Sequence, residues 1–253
     1  MTNNFQVKEN IIAVWGNPSS GKTVTSMKLA KELESKKKNV IIIFADLFCP
    51  VLSTVMPSVD VKSRTLGSLL SKPHIKQIDI MQTVIPYPKH EYIGIIGYKN
   101  GDNIFTYSEF LAERVAEFIS QIRQVTDYII IDCSSVLTED GFTTIALQQA
   151  DKVLRLCNAD LKAFSYFTSH LPLISRAKFN SDSHIKVLSN IKPLQEELTF
   201  RSVYGDVYYT LPYVKEIEAQ FYSAGLLDPL SGRDARKYNA EIKKMAWEVF
   251  GLE

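Results

Sequence analysis

Eight consecutive residues, Gly16-Asn17-Pro18-Ser19-Ser20-Gly21-Lys22-Thr23, set a glycine, a lysine and a hydroxyl at the spacing G-x-x-x-x-G-K-[ST]. The chemistry of that spacing is phosphate binding. A glycine such as Gly21 lets the backbone curl, so that successive N–H groups, those of Ser19 through Val24, converge on an anion at the positive end of the following helix. Lys22 then reaches the β and γ oxygens of a nucleoside triphosphate, and the Thr23 hydroxyl is placed to ligate Mg²⁺. The pattern counts only in the right context, a buried strand in front and a helix behind. Ile11 to Trp15 and Val24 to Leu33 supply both.

The positions that complete such a site are carboxylates at strand ends. Asp132 closes the apolar run Tyr128-Ile129-Ile130-Ile131, the shape of a Walker B element whose carboxylate holds Mg²⁺ directly or through a water. Asp46 follows the run Val40 to Phe44 and is placed to meet the metal or orient an attacking water; the competing reading is a loop aspartate that bonds its own backbone.

Positioning these groups requires parallel strands joined by helices. Strand-like runs at Ile11–Trp15, Val40–Phe44, Tyr92–Ile96, Tyr128–Ile131, Val153–Leu156, Ile185–Leu188 and Val207–Leu211 alternate with helical patterns along the whole chain. This predicts an α/β fold, a doubly wound, mostly parallel sheet of about seven strands with helices on both faces, and a single domain over 1–253. Leu111, Val115, Phe118 and Ile122 mark one apolar helix face, with Thr106 and Glu109 at capping-box spacing before it. A last helix is expected over Asp234 to Phe250, its stripe of Ala235, Tyr238, Ile242, Met245 and Val249 reading as a core face. Pro50 to Pro88, with one short helical candidate at Leu66–Leu70, reads as a lid or interface, or as a solvated connection packed on the sheet.

Bulk properties narrow the function classes. The 253 residues are 45% hydrophobic and 23% charged, sufficient for a packed core without disulfides or metal, and a net charge of +1 gives no whole-protein field toward nucleic acid or an acidic membrane. Cys49, Cys133 and Cys157 are odd in number and far apart, against a disulfide framework and against zinc or iron–sulfur sites, and fit a reducing cytoplasm. The polar Met1 to Asn10 has no apolar core of a signal peptide, and no run approaches eighteen apolar residues, so neither secretion nor a membrane span is expected. His74, His90, His170 and His184 have no ligand spacing.

With these elements aligned, the chain resembles the ParA/MinD family of deviant Walker A ATPases, which includes the pilus-assembly proteins TadZ and CpaE. The resemblance spans nearly the whole chain and rests on Gly21-Lys22-Thr23, on Phe44-Ala45-Asp46, similar to the family's Asp-x-Asp switch segment with the second aspartate retained, and on Asp132. In the back half, Val187-Leu188-Ser189-Asn190 resembles the strand end whose asparagine contacts adenine, and Leu211-Pro212-Tyr213, followed by Lys215-Glu216-Ile217 and Gly225, resembles the late strand, Pro-Tyr loop and helix. The resemblance implies ATP and Mg²⁺ as ligands, with Lys22 and Asp46 catalytic and Thr23, Asp46 and Asp132 at the metal. The nucleotide would lie on Asn17 through Val24, with Asn190, Pro212 and Tyr213 at its base.

One departure shapes the expectation. The family's signature lysine, which reaches a partner's phosphates across a nucleotide-sandwich dimer, falls at Asn17, and Pro18 and Ser19 replace the glycine pair that follows. Asn17 brings no positive charge, so hydrolysis should be slow. The resemblance therefore implies a switch ATPase that dimerises with Mg·ATP and positions an assembly such as a pilus or secretion apparatus in the cytoplasm, with recruitment to a cell pole or the inner membrane surface. The alternatives are a partition ATPase binding DNA through Lys36-Lys37-Lys38, and a MinD-like positioner anchored peripherally through Lys243, Lys244 and Trp247. Small-molecule ligases and nitrogenase-type reductases share the loop, but the reductases need paired cysteines that Cys133 lacks.

Overall fold

The computed structural model describes residues 9–107, 110–195 and 197–252. In chain order the elements are β1 (Ile11–Gly16), α1 (Lys22–Ser35), β2 (Val40–Phe44), α2 (Leu52–Val55), α3 (Leu66–Leu70), α4 (Gln77–Thr83), β3 (Ile85–Pro86), β4 (Ile93–Gly97) and α5 (Ala112–Ile122). They continue with β5 (Tyr128–Asp132), α6 (Phe142–Gln149), β6 (Lys152–Asn158), α7 (Leu161–Ile174), β7 (Ile185–Ile191), α8 (Glu197–Tyr204), β8 (Val207–Pro212), α9 (Lys215–Tyr222) and α10 (Gly232–Phe250).

All eight strands join one sheet in the order β3-β4-β2-β5-β1-β6-β7-β8, parallel except for β3. The runs of Ile, Val and Leu in the central strands follow from burial on both faces. In β1, Ile11, Ala13 and Trp15 point into a core shared with α3 to α7, while Ile12 and Val14 point into a second core beneath α1, α2 and α10. β1 lies between β5 and β6, where the chain's winding reverses, so the loop leaving β1 opens into the crevice at the carboxyl ends of the strands.

Three expectations are corrected. The sheet has eight strands rather than about seven. The additional strand, Ile85–Pro86, pairs antiparallel with Ile95 and Gly94 at the sheet edge, where a proline costs no ladder hydrogen bond, and two residues are too short to carry a period. The Pro50 to Pro88 stretch packs on the sheet, as one of its readings has it, but it holds more than the one short helix expected. It folds into α2, α3, α4 and β3, and buries Leu52, Leu66, Leu70, Ile80 and Ile85. The capping box at Thr106 fails: α5 begins after Leu111, and the Thr106 hydroxyl instead accepts from the Asn103 N–H (2.9 Å) in a turn, while Glu109 lies outside the described residues.

Candidate functional site: a nucleotide cleft at the end of β1

The phosphate loop is held by contacts on both sides of β1. Gly16 ends the strand against β6, where a Cβ would lie 2.1 Å from the Leu156 carbonyl oxygen. No side chain fits there. The loop turns through Ser19 (φ 61°) and Gly21 (φ 82°), with the Ser20 N–H donating to the Asn17 carbonyl (3.2 Å), and the Ser189 hydroxyl donates to the Ser20 carbonyl (2.6 Å). α1 then starts with no capping side chain and no acidic residue in its first turn. Its first N–H groups are left for an anion.

Lys22 Nζ donates to Ser135 Oγ (2.6 Å), and Ser135 Oγ in turn donates to the Gly16 carbonyl (2.7 Å). Burial holds the Lys22 pKa below its ordinary value, opposed by the nearby carboxylates of Asp132 and Asp46. Thr23 Oγ1 donates to Asp132 Oδ2 (2.6 Å), and Asp132 Oδ1 is buried with no hydrogen-bond partner. Burial raises the Asp132 pKa to about 7 against the Thr23 hydrogen bond and the Lys22 charge, with Asp46 adding to the rise.

Asp46 stands beside this group. The Ala45 N–H donates to the Asp132 carbonyl (3.0 Å), which joins the ends of β2 and β5, while Asp46 Oδ1 accepts from Phe48 N–H (3.0 Å) and Cys49 N–H (3.1 Å). Asp46 bonds its own loop, as the competing reading has it, and its charge also acts on Lys22. Asn17 is turned inward. Only 4% exposed, its Oδ1 accepts from the Asn158 N–H (3.1 Å) and its Nδ2 donates to the Pro18 carbonyl (2.8 Å), fastening the loop to β6.

A cleft of about 420 Å³ runs from this loop across the ends of β7 and β8. Ser19 through Val24 form its phosphate side, while Asn17 and Pro18 lie outside its lining. Its far wall contains Asn190, Pro212 and Tyr213, brought there by a register irregularity between β7 and β8 that sets Asn190 at φ 57°, a left-handed conformation asparagine tolerates. Ile217, Glu218, Phe221 and Tyr222 of α9 complete the wall. Tyr213 has its pKa raised by a hydrogen bond to Glu218.

Sequence reasoning missed Ser135 and the α9 residues Glu218, Phe221 and Tyr222, and named Ser189 and Ile217 only as parts of the resembling motifs, without a role. Ser135 lies three residues past Asp132, and the need of a buried lysine for an acceptor was the available signal. Nothing local marks Glu218, Phe221 or Tyr222.

The donor set fits Mg²⁺ with a triphosphate. Among the described residues no group of three or more His, Cys, Asp or Glu could hold a metal alone, and Mg²⁺ characteristically takes one or two protein oxygens plus phosphate oxygens and waters. The partnerless Asp132 Oδ1 and the Thr23 hydroxyl provide those oxygens.

Comparison with known proteins agrees with this geometry. Residues 10–187 match the family model described as an AAA domain. No curated protein matches the chain. Among solved structures, the septum site-determining protein MinD of Pyrococcus horikoshii, complexed with Mg-ADP, is 19% identical with a TM-score of 0.71, covering 95% of each chain. A ParA family ATPase from Chlorobium tepidum is 16% identical (TM-score 0.74; 94% of this chain, 98% of that one). A putative plasmid partition protein from Borrelia burgdorferi bound to AMPPNP is also 16% identical (TM-score 0.70; 96% and 100%). The chain belongs to the AAA domain family, and its fold is the P-loop fold shared with MinD and ParA-family ATPases.

Proposed function

We propose that this chain is a ParA/MinD-type ATPase that acts as an ATP-dependent switch. The observation that carries the reading is the meeting of Lys22, Thr23 and buried Asp132 at the open end of α1, where Lys22 and Thr23 line the cleft whose far wall presents Asn190, Pro212 and Tyr213. The solved structures with Mg-ADP and AMPPNP support nucleotide as the ligand. Lys22 exchanges Ser135 for phosphate oxygens, the amides of Ser19 to Val24 cradle them, and Thr23 and Asp132 hold the metal. Mg²⁺, when bound, would supply positive charge that offsets the charge of the phosphates. Asp46, facing the lysine from the β2 end, orients the attacking water.

The finer role rests on the resemblance. The chain forms a face-to-face dimer with Mg·ATP, hydrolyses it slowly, and positions a pilus or secretion assembly in the manner of TadZ and CpaE, on the cytoplasmic side and at a pole or the inner membrane surface. Slow turnover is supported by Asn17, whose amide is bonded within its own chain and carries no charge to a partner. The DNA and membrane alternatives gain nothing from the geometry: Lys36 lies 4.5 Å from the centre of the Trp247 ring, and the α10 stripe from Ala235 to Val249 is buried. Among the described residues no helix is long and apolar enough to cross a membrane.

Light scattering with and without Mg·ATP, alongside ATP turnover for the native protein, Lys22→Ala and Asp46→Ala, tests the reading. The expected result is a dimer formed with ATP and lost in Lys22→Ala, with turnover falling in Asp46→Ala more than binding does. A monomer indifferent to nucleotide would overturn the dimer mechanism.

A further inference from the structure

Two lysines of α1, two and three turns beyond the phosphate loop, send their amines to the opposite end of the chain. Lys28, only 4% exposed, donates from Nζ to Gln220 Oε1 (2.6 Å) and to the Asp228 carbonyl (3.2 Å). Gln220, 6% exposed, returns its amide to the carbonyls of Asp228 (3.1 Å) and Pro229 (3.2 Å), and Lys31 Nζ donates to the Leu227 carbonyl. No ion pair among the described residues includes Lys28. A buried amine without a bonded carboxylate is unfavourable beside an apolar side chain of the same length, so its retention calls for a geometric reason.

Gln220 supplies that reason. It sits on the inner side of α9, and its neighbours Ile217, Glu218, Phe221 and Tyr222 line the cleft. We propose that Lys28 is a positioning residue for the base-binding wall: through Gln220 and the backbone at 228–229 it fixes α9 to α1, so that the helix presenting its N-terminus to the phosphates also sets the distance to the wall that receives the base. The inference rests on the nucleotide reading of the cleft, and it assigns to α1 a second task remote from the phosphates.

The test compares Mg·ATP with Mg·tripolyphosphate, which carries phosphates and no base, by calorimetric titration of the native protein, Lys28→Met, Gln220→Met and the double variant. Loss of one buried hydrogen-bonded bridge corresponds to roughly a tenfold loss of ATP affinity. Tripolyphosphate affinity should stay within about twofold, and the double variant should be no weaker than either single one. Gln220→Met leaves the Lys28 amine its bond to the Asp228 carbonyl, so it covers the case in which Lys28→Met fails to fold: ATP affinity should still fall while tripolyphosphate affinity holds. A parallel fall for both ligands, or no fall for either, overturns the positioning role. If the native protein binds neither ligand, the nucleotide reading itself fails.

Discussion

Asp132 is the residue on which the site turns. One of its oxygens accepts from Thr23 and the other is buried without a partner, a costly arrangement in a folded protein unless something arrives to use it. The adjacent Lys22 and Asp46 charges pull its pKa in opposite directions. A second buried titratable group, His184, gives a cleaner prediction because it lies away from the cleft. Burial, with Arg155 nearby, lowers its pKa to about 4, and its Nε2 bonds the Phe179 carbonyl (3.1 Å). Between pH 6.5 and 4 the unfolded chain takes up a proton that the native imidazole refuses. Stability is therefore full above about pH 6.5 and falls as the pH drops toward 4. At about 1.4 kcal/mol per pKa unit the loss is roughly 3 kcal/mol. Urea titrations of the native protein and His184→Gln between pH 4.5 and 8 should show a flatter acid limb in the variant. At this scale the sequence was legible where the backbone pattern itself does the chemistry, at Gly21, Lys22, Thr23 and Asp132. It was not legible for Ser135 or Glu218, whose roles depend on neighbours far away along the chain.

At the scale of elements, the strand–loop–helix from β1 to α1 depends on two glycines for different reasons. Gly16 is short of space, with the Leu156 carbonyl where a Cβ would go, whereas Gly21 has open space but a φ of 82°. Gly16→Ala must force β1 and β6 apart, a core overpacking costing about 1–3 kcal/mol. Gly21→Ala meets only the left-handed backbone penalty, about 1–2 kcal/mol. Thermal melts should show both variants destabilised by a comparable amount, whereas nucleotide titration should separate them, the Gly21 variant losing affinity beyond its stability loss because the amide geometry there is the proposed binding surface. Periodicity read α1, α5 and α10 and placed Leu66–Leu70, but it did not single out α7, and Leu111, expected on the α5 apolar face, stands exposed before that helix. It failed where order comes from packing alone: α2, α4 and β3 are short, and their burial on the sheet, rather than any repeat, makes them fold.

At the scale of the whole molecule, the slow-switch proposal turns on a charge that the proposed dimer would lack. Asn17 ties the phosphate loop to the end of β6 and offers nothing to a second copy. If the missing charge limits hydrolysis, Asn17→Lys should raise turnover in the Mg·ATP dimer by at least tenfold, a small part of what a cation supplied in trans contributes in related phosphoryl transfer. Steady-state turnover measured above and below the dimerisation concentration checks this, and a rate that does not rise would place the limitation elsewhere. The fold class and the winding of the sheet were legible because alternating strands and helices admit few topologies. The joining of the cleft's far wall to the phosphate loop was legible only through the family resemblance, which placed Asn190, Pro212 and Tyr213, and not from any local pattern that begins at residue 16.

The central place of β1 also has a consequence for how the chain is made. Its neighbours are β5 and β6, so β1 leaves a ribosome with no partner until residues 128–158 have been synthesised, on the order of ten seconds later. During that interval Ile11 to Trp15 is an unpaired apolar ribbon, a target for chaperones and for neighbouring nascent chains. The loop that follows it has no β6 carbonyl to shape it and no Asp132 to face it. The capacity to bind nucleotide therefore arrives late in biogenesis, and a truncated or stalled product carries the signature residues without the activity they spell.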